Sequence, residues 1–296
     1  MDYSSSTLVK LRTNLADYAV TKALKSGALP SSIVEFDFCG PKTAHDGFKP
    51  MVRENAFDVG ELAIVTFLQA HAYGKPYVLL PAPISGRLQH HCIGFNNQLN
   101  QLKPKDIEGK KVGVRSYAQT TGLWVRGILQ HEYGVDLDKV TWLTIVEGHL
   151  AEYSDPPNCQ RIPKGKSLAE MLYSGEIDAA ILGNDMPDDP KISTLIPNAV
   201  EEGKTWYERE HVVPINHMFA VHRDLSKNRP DVVREIFRLL VASRKAAPSA
   251  LLPPFGLEAN RKGIQMAIDW SFEQKIIPRR LSVEELFDET TAGLVA

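Results

Sequence analysis

Short runs of β-branched and apolar residues recur along this chain, each followed by a stretch with helical spacing and then by Gly or Pro. The first such run covers residues 7–12, and others cover 33–38, 57–61 and 77–80. Between them, residues 15–25, 42–53 and 62–71 carry the spacing of helices. Strands that alternate with helices have one economical solution, a parallel sheet covered by helices on its faces. The pattern repeats further on. An extended stretch at 90–95 precedes a strand at 112–114, a helix at 119–132, a strand at 140–146, an irregular excursion at 151–166, a helix at 167–173 and a strand at 177–182. After an extended stretch at 216–221 the tail turns to longer helices, at 231–245 and 257–274. In the first of these, Val232, Val233, Ile236, Phe237, Leu240 and Val241 share one face, and Pro230 suits the first turn. The expectation is an α/β chain, and its 296 residues leave room for two lobes.

Charge narrows the partners. Thirty-four Lys and Arg stand against 36 Asp and Glu, for a formal charge of -2. That balance gives no electrostatic case for nucleic acid, but it leaves room for a small anion held by a few converging arginines. No apolar run approaches about 18 residues, so no membrane span is expected. Residues 1–7 lack the basic region and apolar core of a signal peptide, which points to a cytoplasmic protein. The cysteines Cys39, Cys92 and Cys159 show no C-x-x-C spacing and read as reduced thiols. The glycine patterns of dinucleotide and phosphate-loop sites are missing, as is the G-x-S-x-G of serine hydrolases.

Four segments carry a resemblance. They are Phe57-Asp58-Val59-Gly60-Glu61; Arg87-Leu88-Gln89-His90-His91; Val112-Gly113-Val114-Arg115-Ser116-Tyr117-Ala118-Gln119-Thr120-Thr121 with the helix that follows to Val135; and Pro214-Ile215-Asn216-His217. Together they resemble 4,5-dihydroxyphthalate decarboxylase and its relatives, enzymes on the type 2 periplasmic-binding-protein fold. The resemblance implies two α/β lobes with a central ligand cleft and two crossings of the chain between them. One lobe takes residues 1–90 plus 215–296, the other 91–214. It also implies a carbon-carbon lyase that protonates a ring carbon of a hydroxylated aromatic carboxylate and releases CO2. A solute-binding protein for a small organic anion, or another lyase or dehydratase on the same fold, remains the alternative.

The residues fit such chemistry in kind. His90 and His217 fall at the two crossings and are the candidate proton donors, with only one of His90 and His91 expected to face inward along a strand. Glu61, at the carboxyl end of a strand, is placed where α/β sheets bind ligands. Arg87, Arg115 and Arg126 are the candidates for carboxylate recognition, because a guanidinium pairs bidentately with a carboxylate. Tyr117, Gln119, Thr120 and Thr121 lie where a helix begins, and free backbone N–H groups there suit an anion. Trp124 is the one tryptophan placed to stack on a ligand. No organic cofactor is required, since a ring hydroxyl lends the electrons. A metal held by Glu61, His90, His91 and His217 stays open without any short motif to support it. The expected partner is a small aromatic carboxylate, with self-association left open.

Overall fold

Backbone pairing gathers the strands into two sheets. The computed structural model of the chain describes residues 7–163, 165–247 and 252–296. The first group of elements is β1 (Val9–Asn14), α1 (Lys22–Lys25), β2 (Val34–Asp37), α2 (Phe48–Glu54), β3 (Val59–Ala63), α3 (Ile64–Ala72) and β4 (Tyr77–Gly86). The chain then builds β5 (Ile93–Asn96), β6 (Lys111–Val114), α4 (Thr120–Tyr133), β7 (Thr141–Thr144), β8 (Cys159–Arg161), α5 (Leu168–Ser174), β9 (Ala179–Ile181), β10 (Ile192–Thr194) and α6 (Ala199–Glu210). It returns as β11 (Ile215–His222), followed by α7 (Arg223–Asn228), α8 (Pro230–Lys245), α9 (Leu257–Glu273) and α10 (Glu289–Ala292).

The first sheet runs β2-β1-β3-β11-β4 and the second β10-β5-β9-β6-β7-β8. Strands β2, β1 and β3 are parallel, whereas β11 enters antiparallel between β3 and β4. That insertion puts His217 opposite Ala63 and Phe219 opposite Glu61. In the second sheet β9, β6, β7 and β8 run parallel, and β5 and β10 pair antiparallel at one edge. Among the described residues no helix is long and apolar enough to cross a membrane.

Three local expectations change. The helix expected over 15–25 shrinks to a 3-10 turn at Ala19–Thr21 and the single turn α1: the backbone is extended at Tyr18, where the segment is tied down by the Ala16 N–H, which donates to the buried Glu61 carboxylate at 2.7 Å, and by the Tyr18 hydroxyl. Strand β4 continues through Pro81 and Pro83, where the sequence predicts its end. It lies at the sheet edge, where a proline's missing N–H costs no ladder bond. His90 and His91 sit in a 3-10 turn, His90–Cys92, and not on a strand.

One apolar core runs between the sheets. It joins Leu62, Leu79 and Met218 of the first with Val112, Val114 and Ile181 of the second, and it includes α4 and α9. Helix α9 packs on α4, where the Trp124 and Trp270 rings meet edge to face with centroids 5.4 Å apart. The contact has no slack at Gly127: a Cβ there would lie 1.9 Å from the Trp270 ring. Gly127→Ala therefore forces the helices apart. We expect it to lower stability by about 2 kcal/mol or more, read as a drop in the urea midpoint at unchanged slope.

Candidate active site

Glu61 is fully buried, and a buried carboxylate is tolerated only when its oxygens are satisfied. Three groups do so. The Ala16 N–H donates to Oε1 at 2.7 Å, the Tyr18 hydroxyl donates to Oε2 at 3.1 Å, and His217 Nδ1 lies 2.6 Å from Oε2. Burial and the Glu61 charge push the Tyr18 phenol up, so it acts as a donor. Gly60 makes this packing possible, since a Cβ there would lie 2.4 Å from the Asn14 carbonyl oxygen and separate β3 from β1. With Nδ1 engaged by the carboxylate, the other nitrogen of the His217 ring is free for the cleft it lines.

His217 and Asn216 border two adjoining cavities of about 310 Å³ each, which also share Gln119 and Thr121. The first holds Arg115, Ser116 and Thr120 together with His45, Phe48, Lys49, Thr66, Glu147 and His149. The second holds Tyr18, Arg87, Gly183, Asn184 and Asp185. Each cavity thus has one arginine, and His217 stands where they meet. Arg115 Nη1 lies 3.3 Å from His45 Nε2. Arg87 donates to Asn184 and, at 3.5 Å, to the Thr121 hydroxyl. Helix α4 starts at this junction, and its N-cap Gln119 makes no side-chain capping bond. The first-turn N–H groups of a 14-residue helix therefore add positive potential to the cleft.

The structure brings Glu61, His217, Arg87, Arg115, Gln119, Thr120 and Thr121 together. It does not bring the remaining candidates. His90 packs against Trp206 of α6, with ring centroids 5.8 Å apart, and its Nδ1 faces Gly203. The 3-10 turn rotates it away from the cleft. Arg126 is fully buried. It donates to Gln274 at 2.8 Å and to the Tyr117 carbonyl at 2.6 Å, and it lies 3.9 Å from the Tyr117 ring centroid. Tyr117 is thereby the platform of a structural cation, not a ligand contact. Trp124 has no exposed surface, and its indole N–H donates to the Ile215 carbonyl at 2.8 Å, tying α4 to the start of β11. Among the described residues no group of three or more His, Cys, Asp or Glu is arranged to hold a metal ion.

Sequence reasoning passed over Tyr18, His45 and His149. His149 follows β7, and the rule that ligands gather at the carboxyl ends of parallel strands would have flagged it. Its Nδ1 meets the Thr66 hydroxyl at 2.7 Å. Burial is the main cause that lowers its pKa, helped by Arg115, Lys49, His45 and Arg53, to about 4.

Desolvation likewise lowers His90 to about 4 from its ordinary 6.5. Both rings stay neutral in the folded protein down to about that pH, while the unfolded chain protonates them below 6.5. The unfolded state then binds more protons in this window. Stability is fully present above pH 6.5 and is lost as pH falls towards 4. Urea midpoints measured across that range should fall with pH, and His90→Phe should make the dependence shallower.

No protein-family model matches the chain. It is 27% identical over 193 residues to a 4,5-dihydroxyphthalate decarboxylase of Comamonas testosteroni, a match covering 59% of this chain and 56% of that protein. A 4,5-dihydroxyphthalate decarboxylase of Pseudomonas putida is 27% identical over 168 residues, covering 52% of this chain and 65% of the relative. The match therefore spans less than two thirds of either relative's length. Among solved structures, the alkanesulfonate-binding protein SsuA of Xanthomonas axonopodis pv. citri superposes with a TM-score of 0.62 at 12% identity, covering 96% of this chain and 99% of that one. The periplasmic aliphatic sulphonate-binding protein SsuA of Escherichia coli gives 0.61 at 10% identity, covering 96% and 98%. The fold is that of the periplasmic binding proteins.

Proposed function

We propose that this chain, a relative of the 4,5-dihydroxyphthalate decarboxylases on a periplasmic-binding-protein fold, is a carboxy-lyase acting on a hydroxylated aromatic carboxylate. The observation that carries the reading is the His217–Glu61 pair at the meeting point of two arginine-bearing cavities. A binding protein needs the cations, but it has no use for an imidazole backed by a buried carboxylate. The lobe division at 90/91 and 214/215 belongs to the same reading, and the membership of the two sheets supports it.

The roles follow from position. Arg115, with the first turn of α4, holds one carboxylate, and Arg87 with Thr121 holds a second anionic or hydroxyl group. These charge-assisted bonds fix the ring so that one carbon faces His217. Glu61 holds the imidazole through Nδ1 and orients it, as a carboxylate behind a catalytic histidine does. His217 Nε2 then delivers its proton to the ring carbon that loses CO2. Tyr18 and the Ala16 N–H keep the Glu61 carboxylate in place.

The test uses purified protein and 4,5-dihydroxyphthalate, with CO2 and protocatechuate followed together. Turnover is expected, and binding of hydroxylated phthalates and benzoates without any CO2 would sink the reading. His217→Ala should reduce kcat at least about tenfold, whereas His90→Ala, altering a ring outside the cleft, should stay close to wild type. Arg115→Ala should act mainly on KM, by about tenfold or more, because it removes a binding cation and not the proton donor.

A further inference from the structure

Phe48, the first residue of α2, is buried between two histidines, one on β11 of the first sheet and one on the loop that follows β7 of the second. The His217 ring stands edge-on to it at 5.3 Å and 87°, and the His149 ring at 5.5 Å and 82°. Both histidines line the same cavity. Their electrical surroundings are opposite. His217 has the Glu61 carboxylate at 2.6 Å. His149 is faced by Lys49 and Arg53 of α2, by His45 before α2 and by Arg115 after β6. Glu147, which lines the same cavity, is paired with Lys49 at 2.9 Å and Arg53 at 3.3 Å. Two like groups in one cavity, one backed by a carboxylate and the other ringed by cations, suit a division of labour between acid and base.

The geometry points to His149 as the group that recognises the ring hydroxyl and takes its proton, opposite His217 as the proton donor. This rests on the decarboxylase reading above. Thr66 engages Nδ1, and with that nitrogen's proton donated to the Thr66 oxygen, Nε2 keeps its lone pair for the cavity. The lowered pKa of His149 agrees with a ring that is neutral before the reaction. The step balances without a co-reactant. His149 Nε2 removes the hydroxyl proton, and the oxygen's electron pair flows through the ring to the carbon that bears the carboxylate. That carbon forms a C–H bond with the proton from His217. The C–C bond then breaks, its electron pair returns to the ring, CO2 leaves, and the proton on His149 goes back to the oxygen, while His217 takes a replacement proton from solvent, one for each CO2 released. Only a carbon ortho or para to a hydroxyl is reached this way. The substrate class is therefore an aromatic acid with a hydroxyl ortho or para to the departing carboxylate, and in 4,5-dihydroxyphthalate each carboxylate carbon has a hydroxyl para to it.

His149→Gln tests the assignment, since the amide replaces the Thr66 hydrogen bond but cannot carry the proton. Binding of phthalate and of 4,5-dihydroxyphthalate is measured by calorimetry in a His217→Ala background, where turnover is suppressed, and kcat is measured with His217 intact. The expected result is phthalate affinity within about twofold of the parent, a preference for the hydroxylated ring reduced tenfold or more, and kcat reduced tenfold or more. An unchanged preference and kcat overturns the assignment, as does an equal loss of both ligands, which would mark His149 as merely structural. No preference for the hydroxylated ring with His149 present overturns it too. The decarboxylase reading fails separately, if the wild type releases no CO2 while the preference is present and His149→Gln abolishes it.

Discussion

A carboxylate with no exposed surface needs partners that will not leave, and Glu61 has recruited three of them from two places in the chain. The segment after β1 bends to supply the Ala16 N–H and the Tyr18 hydroxyl, and β11 supplies His217. The demand shapes both neighbours. The chain after β1 stays out of helical geometry until Ala19, and β3 approaches β1 closely enough to require glycine at position 60. Removing one partner would leave a buried charge short of a bond, which costs more than the pair is worth in isolation. The cleft is assembled around this charge.

The position of β11 makes that assembly non-local. His217 is 156 residues from Glu61 in sequence, and they meet because the return strand enters between β3 and β4. The same return brings Ile215 under the Trp124 indole and Asn216 against Gln89. A single strand thus sets the first sheet, the start of α4 and the floor of both cavities. The arginines reach this floor from different sheets, Arg87 after β4 and Arg115 after β6. The positive end of α4 lies between them.

Much of this was legible in the sequence. The alternation of strands and helices follows from local spacing, and the four motif segments place Glu61, Arg87, Arg115 and His217 near crossings and strand ends. What failed has a physical pattern. Arg126 and Trp124 belong to the same helix as Thr120 and Thr121, yet they point into the core, where they donate to Gln274, Tyr117 and Ile215. One sequence does not reveal which polar group has a buried partner 148 residues away. His90 failed because its assignment assumed a strand, and a 3-10 turn alters which side chain faces the ligand. Tyr18 and His149 escaped because each is positioned by a partner on another element, Glu61 for one and Thr66 for the other.

The apolar core between the sheets has a thermodynamic consequence. Leu62 and Met218 of one sheet share a cluster with Val112 and Ile181 of the other, and Trp270 from the tail closes it against Trp124. Melting either sheet would strip apolar cover from the other. The molecule therefore has two sheets but a single cooperative unit at this interface, and calorimetric and van't Hoff enthalpies should agree for its main transition. Two lobes that meet only at a ligand would show two transitions, joined when the ligand binds.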